Sequence, residues 1–164
     1  MDLAEFDVLA EPLQRKSAES ATRYGFALIE GRTCTPDEIA YVEDRMGVIL
    51  PEKYKVFMTR YGGGVFGFVD LFPLVEPETQ ANDGDVWTEN ERNFPDHDFV
   101  AVAAVGTGDY WGFPVIGGRC QEQVCCHVHD AGDDHEPVAA DFLEFVAEYG
   151  LKSSSDRALD RRRG

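Results

Sequence analysis

Residues 50–64 read LPEKYKVFMTRYGGG, and their proline, apolar spacing and closing glycines together indicate a helix and its end. A proline is favoured in the first turn of a helix, where its missing N–H costs nothing. Apolar side chains then recur at intervals of three and four residues, which places them on one helical face: Tyr54, Phe57, Met58 and Tyr61. Glycines at 62–64 end the helix. The segment therefore predicts a helix that buries an aromatic face.

A second helix is predicted just before it, starting at residues 35–38, which read TPDE. Thr35 is a good acceptor for first-turn amides, and Glu38 completes a capping box. Gly47 suits the left-handed residue that ends such a helix. The rest of the chain indicates strands at 65–68 and 71–72 around a break at 69–70, a helix around 86–92, strands at 99–105, 110–116 and 123–129, and a helix from Asp141 to Gly150.

Both ends of the chain look different from this middle part. Residues 1–31 are predicted to be an N-terminal extension with apolar residues at helical spacing, and residues 32–150 form the predicted domain. Residues 151–164 lack an apolar stripe and are predicted to be a frayed basic tail. A length of 164 residues favours a single domain of this kind.

The chain is strongly acidic, with 31 Asp and Glu against 15 Lys and Arg and a net charge of -16. Residues 76–150 hold 17 of the acids and only two bases, Arg92 and Arg119. This charge disfavours nucleic acid and anionic membranes as partners, because phosphate binding needs clustered cations. It favours a basic protein partner, although acidic loops that merely keep the protein in solution explain the composition as well.

No stretch has the roughly 20 apolar residues that span a bilayer, and no cationic segment followed by an apolar one opens the chain. We therefore expect a cytoplasmic protein. Its four cysteines are expected to be free thiols, because a chain of this size folds without disulfides.

The sequence contains no motif that fits a known catalytic or nucleotide-binding pattern. There is no G-x-S-x-G motif, and the glycines at 62–64 follow a helix, whereas a phosphate-binding loop follows a strand. Glycines 106 and 108 lack the third glycine and the helix of a dinucleotide site. We expect no catalytic residue, no metal and no cofactor.

One cluster keeps a metal-binding alternative open. Cys125, His127 and His129 alternate along a predicted strand, so they point to one face and would form a zinc site if Asp134 or His135 completed it. In the competing interpretation, Val124, Cys126 and Val128 are buried on the other face of the strand and the face with the histidines is solvated. The incomplete ligand set favours this second interpretation.

The candidate partner-binding residues are acidic or aromatic side chains of the acidic segment. A tryptophan flanked by acids suits an interface, and it also suits a mostly buried position. The candidates are Asp83, Asp85, Trp87, Glu89, Glu91, Asp96, Asp109, Trp111, Asp133 and Asp134.

With these elements placed, residues 32–150 resemble the SUKH superfamily. The most specific match is the Leu-Pro-x-x-Tyr-x-x-Phe run that begins at Leu50 and precedes the glycines; Gly62 stands where the superfamily usually has asparagine, and because both residues tolerate positive φ the turn is expected to survive. The resemblance implies a single α+β domain with helices packed on a curved, largely antiparallel sheet. It also implies a bacterial immunity protein that binds and blocks a cognate toxin, often a nuclease, while eukaryotic relatives look like cell-wall synthesis regulators.

The resulting expectation is a non-catalytic intracellular protein-binding module whose acidic surface, from segments 76–98 and 130–136, meets a basic toxin domain. Two alternatives stay open at this point. One is a small metal-binding enzyme or sensor that uses Cys125, His127 and His129, and the other is a regulatory scaffold domain without a toxin.

Overall fold

The computed structural model describes residues 1–75, 84–132 and 134–164. Its helices are α1 (Leu3–Tyr24), α2 (Pro36–Met46), α3 (Glu52–Arg60), α4 (Val86–Asn93), α5 (Phe142–Tyr149) and α6 (Ser154–Arg163). Its strands are β1 (Gly64–Phe66), β2 (Val69–Leu71), β3 (Phe99–Ala104), β4 (Tyr110–Ile116), β5 (Arg119–Cys120), β6 (Val124–His127) and β7 (His135–Ala139). The α+β prediction is confirmed: helices pack against a five-stranded antiparallel sheet and a small hairpin.

The main sheet has the order β3-β4-β6-β7, with β5 paired to the end of β4, and every pairing is antiparallel. The separate hairpin joins β1 and β2. Beside it, the segment that leads into α2 contacts the glycine turn, because Arg32 and Gly63 form an isolated antiparallel bridge. This bridge ties the start of the hairpin to the segment that precedes α2.

The predicted helix ends agree with the observed ones because their signals are local. Thr35 caps α2 by accepting from the Glu38 amide at 3.2 Å, and Gly47 ends that helix at a φ of 68°. Asp141 caps α5 by accepting from the Glu144 amide at 2.9 Å. Pro51 immediately precedes the first residue of α3.

The core is built around the aromatic face of α3. Phe57 contacts the rings of Phe6, Phe66 and Phe142 at centroid distances of 5.7, 5.2 and 5.2 Å. Tyr54 lies between Phe113 and Phe142 and is 1% exposed. Its buried hydroxyl has no hydrogen-bond partner among the described residues, and burial raises its pKa well above 10.0. Because Phe6 of α1 is fully buried, the N-terminal helix is part of this core.

Three local predictions were wrong, and two short strands were not predicted. The break predicted at 69–70 lies inside β2, and the hairpin turns before it, at residues 67–68. Strand β7 was not predicted, and the predicted strand at 123–129 ends at His127. The C-terminal segment is the helix α6 and not a frayed tail, because Ser153 and Asp156 form a capping box at its start. A further short strand, β5, follows the Gly117-Gly118 turn.

None of the helices in the described ranges has the length and apolar character that crossing a membrane requires.

Candidate functional site

A surface groove of about 440 Å³ lies between α2 and the start of α4. Its apolar surface comes from Tyr41 and Val42 on α2, from Leu74 and Val75 after the hairpin, and from Trp87 on α4. Tyr41 is 61% exposed and Val75 is 45% exposed, so large apolar side chains face solvent here. Exposed aromatic and aliphatic side chains gathered in one depression are typical of a protein-binding surface.

Helix α2 contributes to the groove through one regular face. Glu38, Tyr41 and Arg45 are spaced by three and four residues, so they follow one another along the same side of the helix. The opposite side of α2 is anchored in the core by Ile39 and Met46, both at most 5% exposed. Because the buried side fixes the rotation of the helix, the groove side is held in a defined position.

Arg45 and Trp87 form the most specific contact in the groove. The Arg45 guanidinium carbon lies 3.5 Å from the centroid of the Trp87 ring, which is a close cation–π contact. The same guanidinium donates a hydrogen bond to the Tyr41 hydroxyl at 3.1 Å. Tyr41, Arg45 and Trp87 therefore form one ordered unit, and tyrosine, arginine and tryptophan are the residue types most enriched at interface hot spots.

The position of Trp87 depends on how α4 is held. Asp85 caps the helix by accepting from the Thr88 amide at 2.7 Å. In the next turn the buried side chain of Asn90 hydrogen-bonds both to the N–H and to the C=O of Ala101 on β3. Helix α4 is therefore fixed against the outer edge of the sheet, and Trp87 is fixed with it.

Three carboxylates surround the groove: those of Asp37, Glu38 and Asp85. No lysine or arginine in the described ranges forms an ion pair with any of the three. Arg45 is the one base among the residues that line the groove. The groove is therefore apolar within and negatively charged at its margin.

A second, more polar cleft of about 350 Å³ lies where the hairpin meets β3 and β4. Glu89 of α4, a predicted partner-binding residue, lines it together with Asp70 and Tyr110. An ion pair of 3.0 Å between Arg32 and Glu30 also lies in this cleft. The lining of this cleft therefore carries three acids and one arginine, which is the same net charge of -2 as the groove. The cleft differs from the groove in being more polar.

The structure separates the predicted partner-binding residues into several places. Asp85 and Trp87 lie together in the groove, while Glu91 and Asp96 are exposed on and after α4. Asp134 is exposed in the loop before β7. Asp83 and Asp133 lie outside the described residues.

Trp111 lies on β4, away from the groove. Its ring packs against Phe145 and Tyr149 of α5 at centroid distances of 5.3 and 5.1 Å. The two tryptophans of the chain therefore differ in their surroundings, since Trp87 borders a groove and Trp111 is packed under a helix.

The metal-binding alternative gains no support from the geometry. Cys125 is buried beside Phe94 and Phe99, and the predicted solvated face is in fact a small second core. His127 packs against the rings of this core and lies 5.2 Å from the His135 ring centroid, whereas His129 is beyond the end of β6 and pairs with Asp109. Across the described part of the chain, no three His, Cys, Asp or Glu side chains are grouped as metal ligands.

The cysteines are free, as expected, and their environment keeps them protonated. Burial raises the pKa of Cys34 to about 11 and that of Cys120 to about 12. Burial also raises the pKa of Cys125 and Cys126. Because the thiolate is the reactive form, these four thiols are poor nucleophiles at neutral pH.

His129 and Asp109 form an exposed ion pair that predicts a measurable titration. The Asp109 carboxylate accepts a hydrogen bond from His129 Nδ1 at 2.7 Å. This hydrogen bond and the charge of Asp130 raise the pKa of His129 above 6.5. The same hydrogen bond lowers the pKa of Asp109 below 3.8. The histidine's contribution to stability is complete below pH 6.5 and is lost as the pH rises through its raised pKa. We expect an NMR titration of His129 with a midpoint above 6.5, and D109N lowers that midpoint.

The contribution of the Asp109 carboxylate to stability depends on pH in the opposite direction. It is present above pH 3.8 and is lost as the pH falls through the lowered pKa of Asp109. D134N is the matched control, because Asp134 is exposed in the neighbouring loop and makes no contact with His129. Equal titration midpoints in D109N and D134N would show that the pair does not form.

These features describe an α+β domain with shallow surface grooves, mostly buried thiols and an acidic margin around one groove. Comparison with family models identifies it further. The chain belongs to the SUKH family described as SUKH_6, SMI1-KNR4 cell-wall, whose model matches residues 36–146. The match runs from the first residue of α2 into α5, and no curated protein matches the chain. The SUKH superfamily includes toxin immunity proteins, and its domains are generally non-catalytic.

The sequence pointed to one half of the groove and missed the other. Asp85 and Trp87 were selected because they lie in an acidic segment. Tyr41 and Arg45 were missed because they lie on a helix with mixed charge, and only the folded chain brings that helix next to Trp87. The exposed tyrosine and arginine on one face of α2 were the available signal.

Proposed function

We propose that this protein is an immunity protein, which binds a basic toxin domain and blocks it without catalysis. Membership of the SUKH family supports a protein-binding role. A toxin that cleaves nucleic acid binds phosphates, so its active site is electropositive. A protein with a net charge of -16 is attracted to such a site over a long range and associates with it rapidly.

The observation that carries this proposal is the surplus of acidic side chains in residues 76–150. Part of that surplus is used within the fold, because Asp141 pairs with Lys53 at 2.8 Å and Glu148 pairs with Lys152 at 2.9 Å. Other acids of this segment, such as Asp96 and Asp134, are exposed and in no ion pair with a lysine or arginine of the described ranges. These exposed acids are the groups that attract a basic partner.

The test uses a basic toxin domain with nuclease activity, chosen from the genes that flank the gene of this protein. We expect a stable complex that abolishes toxin activity. Its association rate constant should fall about tenfold or more between about 50 mM and about 500 mM NaCl, because salt screens long-range attraction. Stopped-flow fluorescence measures the rate constant, and a toxicity assay in co-expressing cells measures protection.

The double variant D96N/D134N removes two of the exposed acids of residues 76–150 and should weaken the salt dependence, and E11Q/E19Q is its matched control. Both glutamates are exposed on α1, outside the acidic segment, and their removal should leave the salt dependence unchanged. The absence of a complex at low salt would contradict the proposal, and a complex with a salt-independent association rate would contradict its electrostatic basis.

A second candidate function is a regulatory binding domain that acts on cell-wall assembly and has no toxin partner. The description of the matching family names the cell wall, which favours this alternative. Protection from a toxin decides between the two, since a regulatory domain would give none.

A further inference from the structure

We infer that the groove between α2 and α4 receives a segment of the partner in which an arginine or lysine stands next to a large aliphatic side chain. This inference rests on the proposed function, because it names the surface and the chemistry by which the toxin would be bound. It goes beyond the general attraction between an acidic and a basic protein, since it assigns the contact to one site.

The apolar part of the groove requires an apolar group from the partner. Tyr41, Val75 and Trp87 leave part of their apolar surface in contact with water. Covering that surface is favourable because it removes apolar area from water. A leucine-sized side chain fits a depression of about 440 Å³ with room for a neighbouring residue.

The charged margin requires a cation beside that apolar group. Asp37, Glu38 and Asp85 place three negative charges around the groove. Arg45 supplies one positive charge, and its guanidinium is already engaged by the Trp87 ring and the Tyr41 hydroxyl. The residues that line the groove therefore carry a net charge of -2, which attracts a lysine or arginine and repels an acidic segment.

The same charge argues against a second copy of this chain as the occupant. Two molecules of net charge -16 repel one another at long range, which disfavours self-association even though α6 carries the exposed Arg161, Arg162 and Arg163. A basic partner gains attraction at the groove and from the rest of the acidic surface.

The two tryptophans give the test an internal control. The probe is the tetrapeptide acetyl-Arg-Leu-Arg-Leu-amide, added to the ¹⁵N-labelled full chain. We expect the indole N–H signal of Trp87 to shift saturably, while that of Trp111, packed under α5, stays in place. The charge-reversed peptide acetyl-Glu-Leu-Glu-Leu-amide should leave both signals unchanged.

Removing charge from the margin should weaken binding of the basic peptide. The variant E38Q/D85N loses two carboxylates, and asparagine at position 85 still caps α4 because its side-chain oxygen also accepts hydrogen bonds. We expect its dissociation constant for the basic peptide to rise about fivefold, and that of the control E11Q/E19Q to stay unchanged. Circular dichroism verifies that both variants are folded.

Several results would overturn the inference: no shift of Trp87 with the basic peptide, equal shifts with both peptides, or equal affinity in E38Q/D85N and E11Q/E19Q. A Trp87 signal that moves with protein concentration alone would assign the groove to a second copy instead. If the toxin complex forms but E38Q/D85N binds the toxin as tightly as the parent, the inference is wrong and the proposed function stands. If no toxin complex forms, the proposed function is wrong. The peptide titration then still tests whether the groove binds a basic and apolar segment.

Discussion

The variant G62N is expected to lose cooperative folding, although asparagine is the residue that the superfamily usually has at this position. Gly62 has a φ of 84°, and a Cβ atom added there would lie 2.2 Å from the Arg32 carbonyl carbon and 2.4 Å from the Thr33 nitrogen. Both are backbone atoms, so no rotation of a side chain relieves the overlap. We expect a loss of more than about 4 kcal/mol in the free energy of unfolding, measured by urea denaturation.

Gly47 provides a matched control for this substitution. It also has a positive φ, of 68°, but no atom lies within 4 Å of a Cβ added there. Asparagine tolerates this backbone region, so G47N should cost less than about 1 kcal/mol. If G62N and G47N have the same stability, the contact with residues 32 and 33 is not what selects glycine at position 62.

This comparison shows what the sequence can and cannot predict. Glycine and asparagine both accept positive φ, so the turn at residues 62–64 was correctly expected to form with glycine in place of asparagine. The close approach of the 30–33 segment was not predicted, because it depends on the bridge between Arg32 and Gly63. The positive φ at residue 62 can be predicted from the residues of the turn itself. The contact with residues 32 and 33, which makes glycine necessary, cannot be predicted from them.

The same distinction explains which elements were predicted. Helices α2 and α5 carry a cap, an apolar stripe and a glycine at the end, and all three signals lie within the helix and its flanking residues. Strand β7 has the sequence HEPVA, whose polar residues and proline give no strand pattern. Its conformation is stabilised by pairing with β6, so only the folded sheet reveals it. Proline and charge on this edge strand also disfavour pairing with another chain.

The candidate site, like the fold, could be predicted from the sequence only in part. An acidic segment containing Trp87 pointed to a contact surface, and the structure places Trp87 and Asp85 in a groove. The partner-binding role of these residues stays a prediction. The alternation of Cys125 with His127 correctly placed them on one face of β6. That face was expected to be solvated, but it is covered by Phe94, the residue that follows α4. Periodicity assigns residues to faces, and it does not say which face another element covers.

Asn90 links the fold to the groove, and N90A is expected to be severely destabilised. The side chain is 1% exposed; its amide donates to the Val86 and Ala101 carbonyl oxygens at 2.7 and 2.8 Å, and its oxygen accepts from the Ala101 N–H at 2.7 Å. Alanine would leave both backbone groups of the buried Ala101 without partners. An unpaired buried polar group costs about 1–3 kcal/mol, so we expect a loss of about 3–5 kcal/mol, measured by urea denaturation.

Asn93, one turn further along α4, is the control for that experiment. Its amide donates to the Glu89 carbonyl oxygen at 2.8 Å, but it is exposed, and water replaces the lost bond. N93A should therefore cost less than about 0.5 kcal/mol. The Asn90 hydrogen bonds hold α4 against β3. N90A should therefore also change the fluorescence of Trp87 at urea concentrations below those that unfold the whole chain, and N93A should not. Equal stabilities of N90A and N93A would mean that α4 is held by its apolar contacts alone, and the groove would then not depend on the buried amide.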